Sequence, residues 1–327
     1  MHSLDLQVLS TLQRWVEQDI PSWLCTIVAT HGSSPRPAGS LMACNLRGQV
    51  VGSLSGGCVE DDLLEKLLNG TYGHFPKTVE YGVSAEENAR LGLPCGGYLT
   101  VLVEHISQTS LSEIQCINQA LLERTCIQRT INLENGQMSL KPAHRFSPII
   151  FNEQSFVQVY GPRFTLLLVG AGQIASCLAQ MASMMDYRVV VTDPRADKMD
   201  DFQNQILGPS LDCECVIGMP DDVVRDYAND PFSIVITLTH DPRIDDMALM
   251  EALTLNNFYV GSLGSMRTTE QRTKRLQQLD LTKQQIARLH APVGLSIGSK
   301  TAPEIAVSIL AELTRIRRAD QTSEHGQ

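Results

Sequence analysis

At 327 residues the chain has room for two domains, since a single domain usually runs roughly 100–200 residues. Its 43 % hydrophobic and 19 % charged residues match a soluble globular protein. A formal net charge of −10 argues against a nucleic-acid binder, because phosphate contacts along a duplex need a basic surface. A small anionic ligand, held by a local arginine or a helix terminus, stays open. No apolar run reaches the roughly 18–20 residues that cross a bilayer, and Met1-His2-Ser3-Leu4-Asp5 has no basic stretch ahead of an apolar core. No membrane segment and a cytoplasmic location are therefore expected. The nine cysteines are odd in number and scattered. Only Cys213 and Cys215 lie close together, and Cys-Glu-Cys is not a zinc spacing, so free thiols are expected.

In chain order, Leu4, Val8, Leu9, Leu12 and Val16 form a helical stripe that Pro21 ends. Trp23 to Ala29 reads as a buried strand, followed by a Gly/Ser/Pro-rich loop from Thr30 to Ser40. Leu41–Cys44 and Val50–Ser53 read as a hairpin turned at Arg47-Gly48. Val59 to Leu68 is a helix with acids in its first turn and Asn69-Gly70 at its end. Thr78–Tyr81 and Tyr98–Val103 make a second strand pair, and Leu111–Glu123 another amphipathic helix. Several short strand-like runs follow before residue 160, and no chemistry is visible in them. From Phe164 to about Arg317 strands and helices alternate, as βαβ units would. The expected organisation is α/β: an α+β domain at 1–160, a Rossmann-like doubly wound parallel-sheet domain at 161–318, and a polar tail at 319–327.

The strongest motif is Gly170-Ala171-Gly172-Gln173-Ile174-Ala175, placed directly after the apolar run Phe164–Val169. A helical stripe and a second strand, Arg188–Thr192, follow it, and Asp193 ends that strand 21 residues beyond Gly172. Gly170 allows the tight turn and Gly172 lets backbone approach a pyrophosphate. Ala175 packs the helix on the sheet, and the helix start, with Gln173 first, offers N–H groups and a positive dipole end. Asp193 is placed to accept from a ribose hydroxyl, and Arg195 to meet a 2′-phosphate or a second phosphate. At the carboxyl end of the strand Ser233–Thr239 come His240 and Asp241, which are expected to face the cleft. Asp241 can equally cap the next helix. The exit Tyr259–Ser265 carries Gly261 and Gly264, which imply close backbone approach, and Arg267 follows at a helix start.

Two cysteines sit beside glycines. Gly56-Gly57-Cys58 lies at a helix start, where the dipole lowers a thiol's pKa and favours a nucleophile or a soft-metal ligand. Leu93-Pro94-Cys95-Gly96-Gly97 places Cys95 in a tight loop. Neither belongs to a zinc pattern, and a role as small buried hydrophobes remains open for both. Arg36, between Pro35 and Pro37, is held stiffly enough for a fixed anion contact.

With these residues in view, the chain resembles the XdhC/CoxI family of molybdenum-hydroxylase accessory proteins. The amino-terminal match is Gly32-Ser33-Ser34-Pro35-Arg36, then Gly52 to Glu60, then Cys95-Gly96-Gly97. The carboxy-terminal match runs from Gly170-Ala171-Gly172 and Asp193-Pro194-Arg195 through Thr239-His240-Asp241-Pro242 to Gly261–Ser265. It ends at Pro292–Gly298 and Pro303-Glu304-Ile305-Ala306. Gln173 stands where many relatives carry histidine, Met266 where arginine is frequent, and Ser296 where an acid is frequent. The resemblance implies a homodimeric chaperone for the molybdenum cofactor, as molybdopterin or its cytosine dinucleotide. It also implies protection of the cofactor while a cysteine desulfurase supplies a terminal sulfido ligand. Delivery to an apo molybdenum hydroxylase of the xanthine or aldehyde dehydrogenase type follows, with no turnover by the carrier itself. On this reading Cys58 and Cys95 stand near the molybdenum. Gly170, Gly172, Gln173, Asp193 and Arg195 hold the nucleotide end, with His240, Asp241, Gly261 and Gly264 around it and Arg36 and Arg267 on phosphate. The alternative is an NAD(P)-dependent oxidoreductase using the same turn with His240 as proton donor. A redox sensor linking Cys58 to Cys95 is a third reading.

Overall fold

In the computed structural model, which describes residues 4–31, 36–73, 76–83, 98–144, 147–206 and 213–322, the chain divides into two compact units. One runs to Pro162 and the other starts at Arg163. The first unit opens with α1 (Leu4–Glu17), which buries Leu6, Val8, Leu9, Leu12 and Val16 along one face. Its sheet is built from β1 (Ser22–His31), β2 (Leu41–Asn45), β3 (Val50–Gly52), β4 (Lys77–Tyr81) and β5 (Tyr98–Ile106). These strands lie in the order β3-β2-β1-β5-β4, every neighbour antiparallel. Side chains alternate across a strand, so Leu24 of β1 packs with α1 while Trp23, Cys25 and Ile27 face the other way. There they meet Val59, Leu63 and Leu67 of α2 (Cys58–Leu68). Both faces of β1 are thus covered, as its unbroken apolar run implied.

After α3 (Leu111–Leu122) come β6 (Cys126–Asn132), β7 (Met138–Ala143), β8 (Ile150–Phe151) and β9 (Ser155–Tyr160). They form a second antiparallel sheet in the order β7-β6-β9-β8. Ile131 and Phe156 of this sheet share a core with Val28 and Leu102 of the first. One buried ion pair ties the two sheets. Arg129 of β6 donates from Nη1 and Nη2 to Glu104 of β5 at 3.1 and 2.7 Å, with the two side chains 0 % and 5 % exposed.

The second unit repeats strand and helix: β10 (Thr165–Val169), α4 (Gln173–Met184), β11 (Arg188–Thr192), α5 (Ala196–Asp201) and β12 (Cys213–Val216). It continues through α6 (Pro220–Tyr227), β13 (Ser233–Thr237), α7 (Pro242–Thr254), β14 (Tyr259–Ser262) and α8 (Met266–Gln278). The short α9 (Lys283–Ile286), β15 (Leu289–His290) and the long α10 (Ala302–Thr322) complete it. α10 continues as helix past Ala319, where a polar tail was expected. All six strands are parallel, in the order β12-β11-β10-β13-β14-β15. One face packs on α6, α7 and α8, and α4 packs with α10. This is the doubly wound arrangement expected from the alternating pattern, and the strand order reverses between β10 and β13. No helix among the described residues is long and apolar enough to cross a membrane.

Removing one partner of a buried, two-pronged pair leaves an uncompensated charge, whereas replacing both by apolar side chains does not. Glu104→Gln should therefore lower the stability of the amino-terminal unit by about 3 kcal/mol in urea unfolding of the full chain. Glu104→Leu combined with Arg129→Met should recover most of that loss. Equal stabilities of wild type and Glu104→Gln would show that the pair does not tie the sheets.

Candidate functional site

At the point where the strand order reverses, β10 and β13 end in register, Val169 beside Thr237. Their crossovers leave toward opposite faces of the sheet and open a cleft between them, as doubly wound sheets do. The turn after β10 makes this possible. Gly170 has φ +115°, and a Cβ there would stand 2.7 Å from Thr239 Cγ2. Gly170 N also donates to Thr192 O at 2.7 Å, tying the turn to β11. Packing within the protein thus accounts for Gly170. It does not account for Gly172, where an added Cβ would meet nothing within 4 Å. Gly172 is the N-cap of α4, and as a glycine it offers no side chain to cap the first N–H groups of the helix. Those donors and the positive dipole end are left for an anion.

The cleft has a volume of about 970 Å³ and is lined by Gly170 to Ala175, Arg195, Lys198, Leu238 to Arg243, Lys300, Ala302 and Ile305. Of the residues expected from sequence it gathers Gly170, Gly172, Gln173, Arg195, His240 and Asp241. Lys198 and Lys300 join them and were missed: Lys198 lies on α5 and Lys300 in the loop just before α10, and the tertiary fold sets how both reach the cleft. Asp241 acts as the helix cap. It accepts Arg243 N at 3.0 Å, and Arg243 Nε and Nη2 at 3.0 and 2.8 Å. The Arg243 side chain, with its own N–H, holds that carboxyl down to about 2. His240 is exposed in the cleft and has no side-chain hydrogen bond among the described residues.

Asp193 lies beneath the turn. It accepts Ala171 N and Arg195 Nη2 on Oδ2, and Arg195 N and Nε on Oδ1. Burial acts to raise its carboxyl, but the bonds from Arg195 and Ala171 outweigh that and lower it. Gly261, Gly264 and Arg267 do not line the cleft. A Cβ on Gly261 would lie 2.7 Å from Tyr259 Cε1 and 2.8 Å from Val293 Cγ2, and one on Gly264 would lie 3.3 Å from Thr268. Their lack of side chains therefore reflects packing within the unit. Sequence reading also missed the pair that holds the far wall. Asp245 Oδ1 accepts Thr239 N and Oγ1 at 3.2 and 2.7 Å. Its Oδ2 accepts Arg272 Nη2 at 2.9 Å, and Arg272 Nη1 donates to Leu263 O. Burial pushes the Asp245 carboxyl up to about 6.

In the amino-terminal unit the described strand ends that flank the signature segments lie at one end of the first sheet. β1 ends at His31 beside Tyr98, the first residue of β5, and β4 ends at Tyr81 beside Leu99. β2 starts at Leu41, and β3 ends at Gly52 beside Met42. Arg36 is exposed on the segment that joins β1 to β2. Cys58 opens α2; Cys95 falls between β4 and β5 and lies outside the described residues. No group of three or more His, Cys, Asp or Glu among the described residues is placed to hold a metal ion. What organises the approach to Cys58 is Glu60. Its carboxylate accepts the backbone N–H groups of Leu54, Ser55, Gly56 and Gly57 and the hydroxyls of Ser53 and Ser55, at 2.5 to 2.9 Å. Burial opposes its ionisation, yet the bonds from Ser55, Gly56 and Ser53 hold it far below the usual carboxylate range.

Comparison with known proteins covers both units. The sequence model of the XdhC Rossmann domain matches residues 166–313, and that of the XdhC and CoxI family matches residues 15–82. The chain is 27 % identical to a probable xanthine dehydrogenase subunit of Bacillus subtilis, over 94 % of this chain and 96 % of the relative. It is 24 % identical to the molybdenum cofactor insertion chaperone PaoD of Escherichia coli, over 90 % and 83 % of the two chains. A solved structure named as a xanthine dehydrogenase of Bacillus halodurans is similar with a TM-score of 0.74 and 28 % identity, over 98 % of each chain.

The Glu60 bonds predict a pH signature. A carboxyl whose folded pKa is depressed contributes stability that is complete above its unfolded pKa, about 4.3, and is lost as pH falls toward the folded value. Glu60→Gln should cost about 2 kcal/mol at pH 7, because an amide cannot accept on both arms. The gap between wild type and variant should narrow below about pH 4.3. A gap that stays constant from pH 7 to well below that value would mean that Glu60 ionisation does not hold the loop.

Proposed function

The chain belongs to the XdhC and CoxI family, and from that premise we propose that it is a molybdenum cofactor chaperone. Its cargo is molybdopterin or the cytosine dinucleotide of molybdopterin, which it protects while a cysteine desulfurase supplies the terminal sulfido ligand. It then hands the cofactor to an apo molybdenum hydroxylase of the xanthine or aldehyde dehydrogenase type. It works in the cytoplasm as a homodimer, and the cargo leaves unchanged by any turnover of the carrier. The observation that carries this reading is the cleft at the β10–β13 reversal. It has an uncapped helix start, a glycine with open space beside it, and Arg195, Lys198 and Lys300 on its walls. A phosphoryl tail suits such donors, and a pterin with its tail suits a cleft of about 970 Å³. The molybdenum of the cargo is a soft centre, for which cysteine thiolate is a fitting ligand. Cys58, at a helix start, and Cys95 are the candidates. Arg36 and Arg267 are assigned to anion contacts outside the cleft. The relative named as a molybdenum cofactor insertion chaperone supports the chaperone reading.

An NAD(P)-dependent oxidoreductase remains the second reading, because His240 lines the same cleft. Hydride transfer needs a proton donor held in orientation, and no group among the described residues orients the His240 ring. Submillimolar binding of NADH or NADPH accompanied by substrate-dependent turnover would favour that reading.

Protein purified from cells that make the cofactor should release molybdopterin on denaturation, measured as its fluorescent oxidation product. Gly172→Ala should leave the unfolding midpoint unchanged, since its Cβ meets no protein atom, yet lower the retained cofactor about tenfold. Cys58→Ala should also retain much less. Wild-type protein without molybdopterin would contradict the reading, and full retention by Cys58→Ala would remove that thiol from the site.

A further inference from the structure

In a dinucleotide-binding sheet, an acid at the end of the second strand accepts hydrogen bonds from a ribose. Asp193 has that position at the end of β11, but its carboxylate is already filled. It is 0 % exposed, and its two oxygens accept four N–H groups. Arg195 N and Nε donate to Oδ1 at 3.1 and 2.8 Å. Ala171 N and Arg195 Nη2 donate to Oδ2 at 3.1 and 2.8 Å. A carboxylate offers about four acceptor sites, so nothing is left for a sugar hydroxyl. The same bonds fix the guanidinium. Arg195 keeps 43 % of its side chain exposed and lines the cleft beside the glycine turn, with Lys198 and Lys300. Because Asp193 also holds Ala171 N, the arginine and the turn are set relative to each other by one buried group.

We propose that Asp193 is a positioning residue that holds Arg195 over the cleft, so that the site recognises the phosphoryl end of its ligand and ignores ribose hydroxyls. The inference rests on reading the cleft as the cofactor site and narrows it. A nucleoside is not required, and nucleotide-free molybdopterin binds through its phosphomonoester.

The test is isothermal titration of the full chain with ADP and with 2′,3′-dideoxyADP, in wild type, Arg195→Ala, Asp193→Asn and the double variant. The two diphosphates should bind wild type within about twofold of each other. Arg195→Ala should weaken both about tenfold or more, the loss expected for a charge-assisted contact. Asp193→Asn, whose amide oxygen can still accept Ala171 N, should weaken both in the wild-type background and by less than about twofold further in the Arg195→Ala background. A merely structural role would instead add the full Asp193→Asn loss to the Arg195→Ala loss. Should Asp193→Asn not fold, Arg195→Lys serves: it keeps the charge without the fork, and its affinities should fall between those of wild type and Arg195→Ala. A tenfold preference for ADP that disappears in Asp193→Asn would overturn the inference and leave the cofactor reading standing. Failure of both nucleotides to bind a protein that copurifies with molybdopterin would likewise overturn the inference alone. Failure to bind, together with absence of the cofactor, would overturn both.

Discussion

Thr239 and Gly170 approach so closely that a side chain on the glycine would stand 2.7 Å from a threonine methyl, and the second unit is arranged around that contact. It lets the chain leave β10 in a turn tight enough to start α4 directly above the strand ends. Two charged groups hold the contact from either side. Asp193 bonds Ala171 and so fixes the turn to β11, while Asp245 bonds Thr239 and, through Arg272, reaches the exit of β14. A substitution at Gly170 would therefore disturb three strand ends at once. The same bonds fix the sheet side of the cleft, where the donors at the start of α4 are backbone N–H groups that need no rotamer ordering.

The first unit uses a different device for a similar end. Between β3 and α2 the backbone N–H groups of Leu54 to Gly57 lie off the sheet and need partners. Glu60 supplies the partners, gathering four of those N–H groups just before Cys58. The Glu104–Arg129 pair fastens the second antiparallel sheet to the first, near the end of β5 that lies away from Tyr98. Each unit thus presents a preformed backbone cradle: one occupied by its own carboxylate, the other with its helix start uncapped.

The doubly wound half was legible because its cues are local: a buried apolar strand, glycines at the turn, then a helical stripe, repeated. The reach of Lys198 and Lys300 into the cleft was not, since it depends on where the tertiary fold sets α5 and the loop before α10. Glycine composition alone could not separate Gly172, beside open space, from Gly261 and Gly264, which are enclosed by Tyr259, Val293 and Thr268. Asp193 shows a similar limit: its position in the motif was evident, while the direction of its carboxylate was set by Arg195 two residues on. Glu60 stood in the amino-terminal signature without a role, because its partners are backbone groups that carry no sequence mark. The sheet β6 to β9 left little trace, its strands being short and partly polar on one face.

If the glycine turn grips the phosphoryl end of a molybdenum cofactor, as proposed, a crystal structure of the cofactor-loaded protein, with anomalous data collected at the molybdenum edge, should show it. Phosphoryl density should lie against the N–H groups at the start of α4, within reach of Arg195, with a molybdenum peak belonging to the same ligand. A loaded crystal in which the cofactor lies elsewhere, with the turn holding solvent, would contradict it.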